Sequence, residues 1–324
     1  TRELNTSDPE YYRWTQWCFL QLFKKGLAYQ KESYQWWCTN DQTVLANEQV
    51  ENGHCWRCGA EVEKKKMKQW FFKITAYADE LLAEIDSLNW PEKIKTMQKN
   101  WIGRSEGANV KFEVAGKDLK IDIFTTRIDT ICGATFLVLA PEHALIPELT
   151  TPETQAQVTE YCANAIKKSE IERQENKEKT GVFTGSFAIN PLTKEQIPIW
   201  ISDYVLINYG DGAVMAVPAH DERDFAFAEK YQLQIKPVIE NPTEEPCFHG
   251  EGKLINSGEF NGYSSEEARA KILEKLGGEI AEKKVTYSMR DWLISRQRYW
   301  GCPIPIAYDK NGKPHAIPEE QLPV

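Results

Sequence analysis

Thr125-Thr126-Arg127-Ile128-Asp129-Thr130 crowds three hydroxyls, a cation and a carboxylate into one short stretch, directly after an apolar run that ends at Phe124. Such groups at a strand end can grip a polar ligand through side-chain and backbone hydrogen bonds. An ordinary Ser/Thr or Asx turn would use the same residues, and spacing does not separate the two readings. A second concentration runs Tyr209-Gly210-Asp211-Gly212-Ala213-Val214-Met215-Ala216-Val217-Pro218-Ala219-His220-Asp221-Glu222-Arg223-Asp224. Its glycines turn the chain, its small apolar residues can form a buried wall, and its polar residues gather at a helix start. Asp221 and Asp224 have the spacing of a capping box, with Asp in place of Glu or Gln at the third position. Either capping is their whole role, or one carboxylate points into a pocket and holds an ammonium group by a charge-assisted bond. His220 is of the type that serves as a general base, although a histidine beside a helix cap is more often structural. Arg127 and Arg223 could meet phosphate or pair with nearby acids. Neither a Ser/His/Asp nucleophile order nor a glycine-rich phosphate loop occurs.

A third cluster, Cys38-x2-Asp41 followed by Cys55-x2-Cys58, is half of a zinc knuckle whose other half lacks a thiol. Structural zinc takes four ligands in tetrahedral geometry, commonly from two close pairs. Asp41 or His54 would have to complete Cys38, Cys55 and Cys58, and a knuckle that folds without metal is the alternative. The eight cysteines as a whole are too few and too uneven for a disulfide framework, so reduced thiols are expected.

The elements that must position these groups follow from periodicity. From Asp8-Pro9 to Lys25 apolar residues recur at helical spacing, and Gly26 stops the helix. Glu32 to Trp37 alternates like a strand. Met67 to Leu88 is predicted to be a second helix, with Trp70, Phe71, Ile74, Leu81 and Ile85 on its apolar side. After Asn100 to Gly107 the character changes to short strands, Val110 to Val114, Leu119 to Phe124 and Thr135 to Leu139. Thr154 to Lys168 is predicted helical, and the charged stretch Lys167 to Lys179 must face water. Strand signals resume from Gly181 to Ile207, helices follow Pro218 and Ser264, and past Tyr287 the Trp- and Arg-rich character of the start returns. An insertion interrupting a host domain produces this order. The expected architecture is mixed α/β, a small barrel-like or curled sheet with helices.

With 324 residues and 41% hydrophobic content, the chain can bury two or three domain cores. A formal net charge of −9 argues against a general polyanion binder, so any nucleic-acid contact must be local. The most basic stretch, Lys64-Lys65-Lys66-Met67-Lys68, reads first as a solvated face. No apolar run is long enough to cross a bilayer, and a cytoplasmic chain starting inside a longer polypeptide is expected.

Taken together, Thr125 to Thr130 resembles the threonine-rich motif, and Gly212 to Asp224 the acidic motif, of the editing domain shared by leucyl-, isoleucyl- and valyl-tRNA synthetases. Asn5 to Tyr12, Asn100 to Gly107 and Arg290 to Gly301 resemble bacterial-type leucyl sequences across essentially the whole chain. The resemblance implies a catalytic-domain flank at 1–37, a zinc-knuckle-like insertion at 38–66, a connective segment at 67–102, the editing domain at 103–287 and a return at 288–324 to a Rossmann-type class I catalytic domain. It implies hydrolysis of mischarged tRNA(Leu), with norvaline, isoleucine and similar errors removed from its 3′ end. Asp224 would bind the α-ammonium, and Thr125 and Thr126 the terminal adenosine region. Thr130 would exclude leucine, Met215 and Val217 would form the apolar wall, and Arg127, His220 and Asp221 would line the substrate site. Editing would need no cofactor. ATP and Mg would serve only the full-length synthetase, because neither the HIGH-type nor the KMSKS-type motif is present. The expected partners are tRNA(Leu) and the remainder of the synthetase, with a monomeric chain and no membrane. Ile128 stands where the family usually has proline and Asp211 where it usually has threonine. The alternatives are a non-catalytic tRNA-docking piece, or one portion of a ligase.

Overall fold

The computed structural model describes residues 3–51, 53–168, 172–173, 178–207, 211–243, 245–295 and 302–324. Tyr209-Gly210, most of the charged stretch after Lys168, and Arg296 to Gly301 lie outside the described residues. Two compact units emerge, one from Thr1–Ile102 with Met289–Val324, the other from Gly103–Ser288. Among the described residues no helix is long and apolar enough to cross a membrane.

In the first unit, α1 (Pro9–Lys24) starts with proline in its first turn, where the missing N–H costs nothing. It buries Phe19 and Leu20 against Trp70. β1 (Ala28–Cys38) pairs antiparallel with β2 (Thr43–Leu45) and, along its whole length, with β3 (Val62–Phe72), from Ala28 opposite Phe72 to Cys38 opposite Val62. Trp292–Leu293 adds a short strand beyond β3. The predicted helix from Met67 is therefore corrected. Its first residues belong to β3, and only Ala78–Ile85 (α2) is α-helical, with α3 (Glu92–Ile102) following. Trp70 and Phe71 suit a helix stripe as well as a strand buried on both faces, and the long-range ladder decides.

The second unit is built on a seven-stranded sheet. Its strands are β4 (Arg104–Val114), β5 (Lys120–Thr125), β6 (Phe136–Leu139), β7 (Gly181–Ile189), β8 (Gln196–Ser202), β9 (Ala213–Ala216) and β10 (Ala281–Tyr287). The order is β9-β6-β8-β7-β4-β10, with β5 paired to β4. β6 and β8 run parallel, and the other pairs are antiparallel. The sheet curls so that β5 lies near β9, but no ladder joins them among the described residues and no closed barrel forms.

β6 is apolar at every position because both of its faces are covered. Leu137 and Leu139 join the main core with Ile121, Ile123 and Ile199. Phe136 and Val138 face a second core with Phe227 and Ala228 of α5 (Glu222–Tyr231). α4 (Gln155–Ile166) and α6 (Ser265–Ile280) complete the unit. α6 starts with a full capping box between Ser264 and Glu267. The segment's two ends are tied together. β4 pairs with β10 from Arg104 opposite Tyr287, and the Ser288 amide donates to the Gly103 carbonyl at 3.0 Å.

Candidate functional site

Three elements of the second unit converge on one cavity of about 160 Å³. The end of β5 and the turn after it supply Thr125, Thr126, Arg127 and Thr130, β9 and its continuation supply Met215 and Val217, and the start of α5 supplies Asp221 and Asp224. Local chemistry explains how each arrives there. Gly107 on β4 lets the backbone of Thr125 approach closely, since a Cβ there would collide with the Thr125 carbonyl and the Phe124 ring. The Thr125 hydroxyl accepts from the Arg127 amide at 3.0 Å, and the Thr130 hydroxyl donates to the Arg127 carbonyl at 2.8 Å. The Ser/Thr-turn reading of this motif is thus true, and the turn still lines a cavity.

Asp129 is fully buried beneath this turn. It is held bidentately by Arg127, at 2.9 to 3.2 Å, and by Arg269 of α6 at 3.2 Å. The Arg127 guanidinium also donates to the carbonyls of His249 and Gly250. Both arginines pair with nearby acids, since Arg223 in turn bonds Asp221 at 3.0 and 3.2 Å.

At the helix start, Asp221 and Asp224 divide the work. Asp221 caps α5 by accepting from the amides of Arg223 and Asp224 at 2.9 and 3.3 Å. Burial pushes its carboxyl up, but the Arg223 charge and those two N–H groups outweigh this and hold it below its ordinary value. Asp224 does not complete a capping box. It shares the buried stripe of α5 with Phe227 and Ala228, at the i, i+3, i+4 spacing that faces a core. Burying Phe227 beneath Phe136 therefore draws Asp224 inside, where it is 5% exposed. Its Oδ1 accepts from the Tyr204 hydroxyl at 2.8 Å and its Oδ2 from the Val217 amide at 2.9 Å. Burial and then the Asp221 charge push its pKa up to about 7, and the two donors offset only part of this.

His220 lines the cavity, but both ring nitrogens are engaged by backbone. Nδ1 meets the Phe248 carbonyl at 2.7 Å, and Nε2 accepts from the amides of Val238 and Ile239 at 3.0 and 3.2 Å. Burial lowers its pKa, so the neutral ring acts as a brace and has no nitrogen left for proton transfer. Sequence reasoning missed Tyr204. It sits in an apolar run beyond β8 with no spacing relation to Asp224, and only the tertiary fold brings the two together.

In the first unit the cysteine cluster is real. Cys38, Asp41, Cys55 and Cys58 place one ligand atom each within 4.8 Å of all the others. The Cys38 and Cys58 sulfurs are 3.4 Å apart, and Cys55 Sγ lies 3.4 Å from Asp41 Oδ2. Tetrahedral zinc at ~2.3 Å from sulfur sets its ligands roughly 3.5–4 Å apart, so four ligand atoms all within 4.8 Å of one another are close to the span that such an ion needs. Asp41, not the exposed His54, is the fourth member.

The family model "Leucyl-tRNA synthetase, editing domain" matches residues 99–277, and that of class I tRNA synthetases for I, L, M and V matches 1–108 and 267–322. The chain is 57% identical over 329 residues to a leucine–tRNA ligase of Clostridium perfringens and 55% identical over 324 residues to one of Clostridium botulinum. Each alignment covers 99% of this chain and 40% of the relative, so the chain spans about two fifths of the curated relatives' length. A solved ternary complex of Agrobacterium radiobacter K84 agnB2 LeuRS with tRNA and LeuAMS is 40% identical, with a TM-score of 0.78 over 98% of this chain and 37% of that one. The cavity and residues 103–277 of the second unit fall within the editing-domain match, and the class I match covers nearly all of the flanks together with the end of the second unit. By these matches the chain belongs to the leucyl-tRNA synthetase family and carries its editing domain.

Proposed function

We propose that the chain hydrolyses the aminoacyl ester of mischarged tRNA(Leu). The observation that carries this reading is the shared cavity, in which a threonine turn and a buried carboxylate that is not used as a helix cap face the same space. At about 160 Å³ it is smaller than the ~300–1,000 Å³ of ordinary ligand pockets, so it suits an amino acid and not a whole aminoacyl-adenosine. Asp224 holds the α-ammonium, and Met215 and Val217 wall the side chain. Thr130 limits its size, and Thr125 with the exposed Thr126 receives the terminal adenosine at the rim. Water attacks the ester carbonyl carbon, the bond to the ribose oxygen breaks, and that oxygen takes up the proton. With His220 occupied, the acceleration comes from positioning the water and ester and from hydrogen-bond donors at the developing oxyanion.

Incubated with norvalyl- or isoleucyl-tRNA(Leu), the chain is expected to release free amino acid at least tenfold faster than from leucyl-tRNA(Leu). Retained tRNA binding with no release would replace this reading with a docking role. The class I match on both flanks also favours a second role, as one portion of a leucine-charging ligase that uses ATP and Mg only with the rest of the synthetase. We take the setting to be the cytoplasm and the chain to act as a monomer.

For the first unit we propose a structural zinc held by Cys38, Asp41, Cys55 and Cys58, closing the turn between β1 and β3. Metal analysis should return about one zinc per chain, and Cys58→Ser should lose it together with thermal stability. A metal-free chain whose melting temperature ignores chelators would rule the site out.

A further inference from the structure

We infer that Tyr204 is the positioning residue for the ammonium-binding carboxylate, its buried hydroxyl fixing Asp224 from the side opposite the Val217 amide. The inference rests on the editing role proposed for this cavity and adds a residue to it. A carboxylate has about four lone-pair sites. Tyr204 takes one on Oδ1 and Val217 one on Oδ2, which orients the carboxylate and leaves its remaining capacity for the cavity that Asp224 lines. The tyrosine ring is itself fixed. It is 8% exposed and packs edge-on against Phe227, with centroids 5.9 Å apart. Since Phe227 also belongs to α5, one packing contact sets both partners of the hydrogen bond.

The charged groups around Asp224 make the hydroxyl matter. Asp221, one turn away, raises its pKa, while Arg223 is turned onto Asp221 and lowers that of Asp224 less than the Val217 and Tyr204 donors do. The Tyr204 proton stays on its oxygen because burial and the Asp224 charge hold the phenol well above its ordinary value. With its proton retained, Tyr204 donates to Asp224, and this bond favours the ionised carboxylate that an ammonium group needs.

The test is Tyr204→Phe, which keeps the ring and its packing and removes one oxygen. The acid limb of kcat/KM for deacylation of norvalyl-tRNA(Leu) is expected to move up by about one pH unit or more. At pH 6–7 this reads as a roughly tenfold loss, carried mainly by KM, that recovers at higher pH. The substrate's own ammonium titrates equally in both proteins, so the difference belongs to Asp224. Carbon NMR of the Asp224 carboxyl in the free protein should show the same upward shift without substrate. 3-Fluorotyrosine placed at 204, a stronger donor of nearly the same shape, should move the limb down, which covers the case of a poorly folded phenylalanine variant. An Asp224 titration unchanged by both substitutions would overturn the inference. A wild-type chain that does not deacylate, but whose Asp224 titration shifts as described, would overturn the editing reading and leave the positioning role standing.

Discussion

Asp224→Ala is expected to lower kcat/KM for deacylation of mischarged tRNA(Leu) roughly 100- to 1,000-fold while leaving the protein folded. The carboxylate is buried, and Asp221, the other carboxylate lining the cavity, is already engaged by the helix cap and by Arg223, which leaves Asp224 as the acid with free capacity for an arriving ammonium group. Removing one partner of a buried charge pair costs about 3–5 kcal/mol, and each ~1.4 kcal/mol is tenfold in rate. Stability should respond differently. With its folded pKa raised from 3.8 to about 7, Asp224 costs the fold nothing below pH 3.8. The cost grows as pH rises between those values and levels off above pH 7, on the order of 4 kcal/mol. Alanine removes that cost but strands the Tyr204 hydroxyl and the Val217 amide, at about 1–3 kcal/mol each. The melting temperature at pH 8 should thus change little. Single-turnover deacylation beside a thermal melt decides it, and activity within a few-fold of the parent would remove Asp224 from the site.

The second large effect is a gain. Thr130→Ala is expected to raise hydrolysis of correctly charged leucyl-tRNA(Leu) roughly 10- to 200-fold, the discrimination available from one methylene-sized difference in an apolar pocket. Thr130 lines the cavity while its hydroxyl is committed to the Arg127 carbonyl at 2.8 Å. On the proposed reading its bulk would face a substrate side chain, and shortening it is expected to open space for leucine. Hydrolysis of norvalyl-tRNA(Leu) should stay within a few-fold. Charging tRNA(Leu) with leucine and following its loss gives the answer directly. Unchanged protection of the leucyl ester would mean that another residue keeps leucine out.

The motif residues were legible because their chemistry is local. The Asp221 cap, the hydroxyl turn after β5 and the apolar wall of β9 are each written in consecutive residues, and the structure sets all three around one cavity. Periodicity failed where pairing partners are distant. Val62–Phe72 takes its conformation from an eleven-residue ladder with Ala28–Cys38, which overrides a helix-like spacing of aromatics. α3 lies in a stretch whose sequence reads only as α-rich up to about Trp101, and its apolar residues Ile94, Met97 and Trp101, at helical spacing, stay exposed in the fold. Tyr204 was invisible for the same reason that it matters. Its partner is twenty residues away and meets it only when α5 packs onto β6.

The paired entrance and exit of the second unit carry a consequence for the polypeptide that surrounds it. The Met289 amide donates to the Ile102 carbonyl at 3.2 Å, just outside the Ser288 to Gly103 bond. For the flanking chain, everything from Gly103 to Ser288 is thereby topologically equivalent to a tight hairpin turn. The closure entropy of a long flexible loop grows with the logarithm of its length, and a folded insert with clasped ends avoids that cost at the point of insertion. The clasp therefore marks Ile102 and Met289 as the two positions that a short splice would join if Gly103–Ser288 were excised, since their backbones already meet.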